Sequence, residues 1–302
     1  MRDRRSSGGG GGGGRGGGGG GGRGRGRAPV AVGGGLGAVV IALLVALFGG
    51  ALGDGGSGFG IDATNLDGGA VGTGGAMEVV ELDSDTEYLS FLMEDIQATW
   101  DEYFDRAGLN YEPTILNVFT GSVSTGCGEA TSAVGPFYCP APGDNQVYID
   151  LDFFDELSTR FGAPGDFAQA YVIAHEVGHH LQSVLGISEA VRNAQAQDRA
   201  NANEYSVRQE LQADCFAGVW AHSASQRLTE ESGRPILEPG DIEEGLRAAA
   251  AVGDDRIQAQ AGMRVNPETW THGSSDQRIR WFTVGFDSGD PERCDTFAAT
   301  SL

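Results

Sequence analysis

The sequence predicts a mainly helical α+β domain with a small sheet, preceded by a disordered Gly/Arg tail and one transmembrane helix. Three observations predict it. Residues 6–27 are almost wholly Gly and Arg. Residues 36–52 read LGAVVIALLVALFGGAL, without a charge. From residue 78 onward, apolar residues recur mostly at helical spacing, with two short runs of strand character among them.

The tail comes first. A Gly/Arg segment buries too little apolar surface to offset the entropy of ordering it, so residues 1–29 are expected to be disordered. They hold seven Arg and one Asp, a net +6 within a chain of net charge −22. The remainder is therefore more acidic still, which argues against nucleic acid as its partner. RNA binding through the tail is the alternative reading of that segment.

Residues 30–52 are long and apolar enough for a membrane-spanning helix, which needs about 20 such residues. Arg-rich sequence precedes the run and acidic sequence follows it. The positive-inside rule then puts the N-terminus in the cytoplasm and the large domain outside the cell, in a single-pass membrane protein. A cleaved signal peptide is the weaker alternative, because the region before the apolar run is long and no small-residue cleavage site follows. Residues 53–77, rich in Gly and Asp, read as a flexible linker, and residues 78–302 as the folded domain.

Four cysteines stand at 127, 139, 215 and 294, none in a CxxC pair. A four-cysteine zinc site is thus disfavoured, and an even count in an exported domain points to two disulfides. Of the three possible pairings, Cys127–Cys139 with Cys215–Cys294 is favoured.

Within the domain, Ser84 and Glu87 form a capping-box signature. Tyr88, Phe91, Leu92, Ile96, Trp100, Tyr103 and Phe104 then recur at helical spacing, predicting a helix over 85–107 closed by Gly108. Residues 114–119 and 146–151 read as strands, with a loop carrying two cysteines between them. A short helix over 152–161 stops at the Gly162–Gly165 turn. Asp166 is placed to cap a helix over 167–185, closed by Gly186. Further helical sequence covers 188–225, with a break near Asn201–Asn203. Asp241 is expected to cap a helix over 242–252, and Ser274 with Gln277 to open a last helix ending near Thr283.

The chemistry lies on the 167–185 helix, in His175-Glu176-Val177-Gly178-His179. Residues four apart share a helix face, so both imidazoles can reach one ion. Zinc accepts neutral imidazole nitrogen, and two histidines leave room for a third ligand and a water. Glu176 sits at the flank, placed to act as the general base on that water. Gly178 costs helix stability, about 1 kcal/mol against Ala, which a close approach to another backbone would justify.

Glu210, on the second long helix, is the best third ligand. Asp214, four residues on, shares its face and is placed to hydrogen-bond the free ring nitrogen of a ligand histidine. His180 points elsewhere, and His222 lies too far along its helix. His272, before the last helix, is either a donor to a developing oxyanion or an ordinary loop residue. Tyr205 is a poorer candidate for that role.

These residues sit in blocks that resemble the bacterial putative neutral zinc metallopeptidase family, whose members are membrane-anchored. The blocks are GPFYCP (135–140), VYIDL (147–151), FGAPGDFAQAYVIAHEVGHHLQ (161–182), ELQADCFAGVWA (210–221) and HGSSDQRIRWF (272–282). The resemblance implies a zincin-like fold, a helical domain with a small sheet beside the active-site helix. E-L-Q-A-D also resembles the E-[FY]-x-A-D motif of the heat-shock and prenyl-protein zinc peptidases, whose first Glu is the third zinc ligand; Leu211 replaces the aromatic. By the same resemblance the strand at 147–151 would pair with an extended substrate. The implied protein is a zinc endopeptidase holding one Zn2+ and acting on a peptide or protein substrate. A non-catalytic, zinc-stabilised domain that binds a cell-surface partner is the alternative.

Overall fold

The computed structural model describes residues 1–5, 84–229 and 233–302. The transmembrane helix expected at 30–52, the linker at 53–77 and most of the Gly/Arg tail lie outside them. Among the described residues no helix is long and apolar enough to cross a membrane.

Helix α1, Ser84–Arg106, buries Leu89, Leu92, Met93, Ile96, Trp100 and Phe104. Phe91, counted with that stripe from its spacing, lies off it and is 51% exposed. Ser84 is already the first helical residue, and its hydroxyl bonds Asp85.

Strand β2, Leu116–Phe119, follows. The stretch up to β6, Gln146–Asp150, is more structured than a loop. It forms a hairpin, β3 (Ser122–Thr125) with β4 (Gly128–Thr131), and then strand β5, Phe137–Cys139. Such three- and four-residue strands carry too little alternation to be read from sequence.

The main sheet has the order β1-β2-β6-β5, where β1 is Arg2–Asp3. β1, β2 and β6 are parallel, and β5 is antiparallel to β6. β1 corrects the expectation of disorder for the whole of 1–29. Composition weighs only side-chain burial, whereas β2 offers an open backbone edge, and Arg4 sits over the Tyr148 ring at 5.8 Å. β6 also departs from expectation. β2 and β5 occupy both of its edges, so the strand at 147–151 has none left for a substrate.

Among the described residues no strand pairs with the outer edge of β5. Val147 donates its N–H to Ile115 on the β2 side, and a strand residue points both backbone polar groups the same way. Tyr138, paired opposite Val147, therefore turns its N–H and C=O outward.

After β6 come α2 (Asp152–Thr159), α3 (Asp166–Val184), α4 (Ile187–Gln197) and α5 (Ala202–Ser225). The expected break in 188–225 is a 3-10 turn at Arg199–Asn201. Then follow α6 (Asp241–Ala251), the short and unforeseen α7 (Asp254–Gln260), and α8 (Ser275–Ser288). Ser274 and Gln277 form the expected capping box in both directions. Asp166 and Asp241 are not caps; each is the first helical residue after a glycine.

Three close backbone approaches bind these helices. A Cβ on Gly178 of α3 would lie 3.0 Å from the Ala213 Cα of α5. On Gly218 of α5 it would lie 2.1 Å from the Phe282 carbonyl oxygen, and on Gly285 of α8 2.0 Å from that of Cys215. α3, α5 and α8 thus pack backbone to backbone. Disulfides Cys127–Cys139 and Cys215–Cys294 form as expected, the second tying α5 to the turn after α8.

Candidate metal centre

The contact at Gly178 brings one face of α3 against one face of α5. His175 and His179 have ring centroids 4.8 Å apart, nearly perpendicular. Glu210 stands between them, with Oε2 3.2 Å from His175 Nε2 and Oε1 3.4 Å from His179 Nε2. Around a four-coordinate zinc with arms of about 2.0–2.1 Å, neighbouring ligand atoms lie about 3.3 Å apart. Both carboxylate-to-imidazole distances fit that spacing, and one donor atom of each of the three residues lies within 4.8 Å of the other two. Among the described residues one other group has donors close enough for an ion, Asp166, Asp241 and Glu244, more exposed and without a histidine.

Each imidazole is oriented by its other nitrogen. His175 Nδ1 lies 2.8 Å from Asp214 Oδ1, and His179 Nδ1 lies 2.9 Å from Gln182 Oε1. With Nδ1–H donating in each ring, Nε2 keeps its lone pair for a cation.

Both supports are themselves held. Asp214 accepts from the Tyr171 hydroxyl at 2.6 Å and from Arg278 Nε and Nη2, both at 2.8 Å. Gln182 donates to the Gln209 carbonyl and to Gln212 Oε1, and Gln212 donates to the Cys294 carbonyl. Asp214 thus stands against the ring nitrogen of His175 that faces away from Glu210. Arg278 and Gln182 carry no local sequence signal for these positions. Arg278 reads in sequence as a surface residue of a capped helix, and Gln182 as a polar residue near a helix end.

The charges interlock. Burial disfavours the Asp214 carboxylate, but Arg278 and His175 outweigh it and hold its pKa at about 2. Burial likewise works against the charged Glu210, and the two histidines overcome it, keeping the carboxyl well below its usual range. For His175 burial opposes the imidazolium, yet Asp214 and Glu210 lift its pKa to about 9.

Glu176 is 7% exposed and lines a cavity of about 390 Å3 together with His175, His179, Glu210, Arg278 and His272. His272 stands at the mouth, 51% exposed, its Nδ1 3.2 Å from Asp254 Oδ1; that bond raises its pKa. Asp254 also accepts the backbone N–H groups of Thr271, His272 and Gly273, fixing the loop.

The remaining sequence candidates lie elsewhere. His180 faces the other side of α3, 2.7 Å from the Glu112 carbonyl oxygen. His222 bonds the Phe286 carbonyl, and Tyr205 bonds Asp198.

A family model described as putative neutral zinc metallopeptidase matches residues 1–297. The chain is 50% identical over 216 residues to uncharacterized protein YpfJ of Escherichia coli strain K12, covering 71% of this chain and 72% of that one. It is 55% identical over 191 residues to uncharacterized protein Rv2575 of Mycobacterium tuberculosis strain H37Rv, covering 62% and 63%. No solved structure matches it.

Proposed function

The chain belongs to the putative neutral zinc metallopeptidase family, and from that membership we propose that it is a zinc-dependent peptidase of zincin type that hydrolyses peptide bonds. The observation that carries the reading is the meeting of His175, His179 and Glu210 at zinc-ligand spacing in one cavity with Glu176. Those three residues would hold one zinc ion. Bound there, the ion would supply Lewis acidity, polarising a carbonyl and lowering the pKa of a water to about 7.

The protein's own groups do the rest. Glu176, beside both ligand histidines on α3, takes the proton of the attacking water and returns it to the departing amine. Asp214 and Gln182 hold the two rings in the tautomer that faces the ion. His272 donates to the oxygen that gains charge as the carbonyl carbon becomes tetrahedral. The outward N–H and C=O of Tyr138 align an extended peptide along β5, in place of the 147–151 strand.

Anchoring through residues 30–52, with the domain outside the cell, is part of the proposal. The apolar run and two disulfides, which persist in oxidising compartments, support it. A single crossing separates residues 1–5 from the domain, so that arrangement requires the two-residue β1–β2 ladder to be given up.

The test compares purified full-length wild type with Glu176→Gln, by metal analysis and by cleavage of an unstructured protein. Both are expected to carry about one zinc, since the carboxylate of Glu176 is outside the ligand set, and only the wild type to cleave. Equal cleavage by the two removes Glu176 from the chemistry, and absence of metal from both removes the zinc reading.

A further inference from the structure

The cavity lining has two chemistries. One part is His175, Glu176, His179, Glu210, His272 and Arg278; the apolar face away from α3 is Val134, Pro136, Phe137 and Phe153, next to Tyr138, and Tyr171, Val172 and Val252 complete the lining. The geometry points to the apolar face as a specificity subsite, which takes a large apolar side chain next to the cleaved bond of an extended polypeptide. This inference rests on the peptidase reading of the same cavity and names its substrate class.

The apolar face is built and held. Val134 is 59% exposed and lines the same cavity as the two histidines and Glu210, where the core gains nothing from a valine. The short turn that carries it, Ser132–Val134, is pinned by the buried Asp150. That carboxylate accepts from Ser132 Oγ at 2.5 Å, from the Gly121 N–H at 2.8 Å and from the Asp152 N–H at 3.1 Å. One acid therefore fixes both the turn bearing Val134 and the start of α2, which bears Phe153.

Gly135, at φ +78°, turns the chain above the Phe153 ring; a Cβ there would lie 3.7 Å from it. Phe137 is stacked on Tyr148 at 5.1 Å, which fixes the third element of the wall. An apolar surface held open at several points is ready to bind without reorganisation.

The occupant follows from what the wall lacks and what adjoins it. None of these four side chains offers a hydrogen bond, and the neighbouring Tyr138 hydroxyl is already engaged with Asn145 and His180, so a charged side chain placed there loses water and gains no partner. Next to Phe137 in sequence, Tyr138 presents its backbone N–H and C=O at the outer edge of β5. A strand paired there sends alternate side chains to one face. An extended peptide in that register delivers a side chain to the wall while its backbone passes the His175–His179–Glu210 cluster.

The experiment measures binding of fluorescent decapeptides to full-length, zinc-loaded Glu176→Gln by anisotropy. The peptides are identical except for one central residue: Phe, Leu, Ser or Asp. Phe and Leu peptides are expected to bind at least about tenfold tighter than the Asp peptide, the scale of discrimination an apolar pocket delivers. Val134→Ser and Phe153→Ser should each shrink that ratio at unchanged zinc content. Val134 is mostly exposed, so its variant carries the test if Phe153→Ser fails to fold.

Equal affinity across the series, no binding at all, or a ratio untouched by Val134→Ser overturns the inference. Cleavage by the wild type keeps the two readings apart. Turnover without apolar preference sinks the subsite and leaves the peptidase; preference in binding without any turnover sinks the peptidase and leaves only a binding site for an apolar side chain.

Discussion

Asp214 Oδ1 lies 2.8 Å from His175 Nδ1 and also accepts from Tyr171 and Arg278, so one carboxylate sets the ring and neutralises the guanidinium beneath it. Asp214→Asn is expected to weaken zinc binding about 10- to 100-fold, the usual effect of losing such an orienting partner. Asp214→Ala additionally leaves Arg278, 4% exposed, without its counter-charge, at a cost of about 3–5 kcal/mol. Zinc titration and thermal unfolding of both variants check this. Wild-type affinity in Asp214→Asn would contradict it.

Zinc binding should release protons. In the metal-free protein the His175 pKa of about 9 keeps the ring protonated at neutral pH. Its Nδ1 proton stays with Asp214, so the proton displaced leaves Nε2. Affinity should therefore rise from pH 6 to pH 9, by about tenfold per pH unit for each proton displaced. Calorimetry in two buffers of different ionisation enthalpy counts the protons. The same raised pKa gives the metal-free fold a stabilising contribution from His175 below about 6.5, the ordinary histidine value. That contribution disappears as pH climbs through about 9.

His272→Ala should slow turnover without emptying the site. The ring is at the cavity mouth, outside the three-ligand cluster, and loss of one oxyanion donor lowers kcat about 10²- to 10³-fold. Metal analysis with steady-state kinetics separates the two effects. Parallel loss of zinc and activity would make His272 a structural residue instead.

The two disulfides should differ in both access and weight. Cys127 is exposed, whereas Cys215 and Cys294 are fully buried. Mild reductant followed by alkylation and mass spectrometry is expected to label residues 127 and 139 first. Their separations of 12 and 79 residues correspond to about 3 and about 4.5 kcal/mol of chain entropy. The Cys215→Ser/Cys294→Ser double variant should therefore unfold at lower denaturant than Cys127→Ser/Cys139→Ser.

What could be read from the sequence was what local rules determine. The His175–His179 pair follows from helical spacing, and the shared face of Glu210 and Asp214 from the same rule two helices later. The glycine at 178 marks a close neighbour, which the fold supplies as Ala213. Ser274 and Gln277 announced their helix by capping. The parts that escaped depend on tertiary placement. Arg278 looks like any arginine on a polar helix face until α8 lies on α5 and turns it inward. β5 and the β3–β4 hairpin are too short to show a period. β1 is two charged residues whose only claim to be a strand is the open edge of β2.

The hydrogen bonds that run from His179 through Gln182 and Gln212 to the Cys294 carbonyl give the centre a schedule. Translation makes the histidine pair first and adds the last support more than a hundred residues later, with Arg278 arriving just before it. A nascent chain therefore carries the two histidines without the scaffold that orients them. The support of the histidine pair becomes complete only when the far end of the domain has docked on α5.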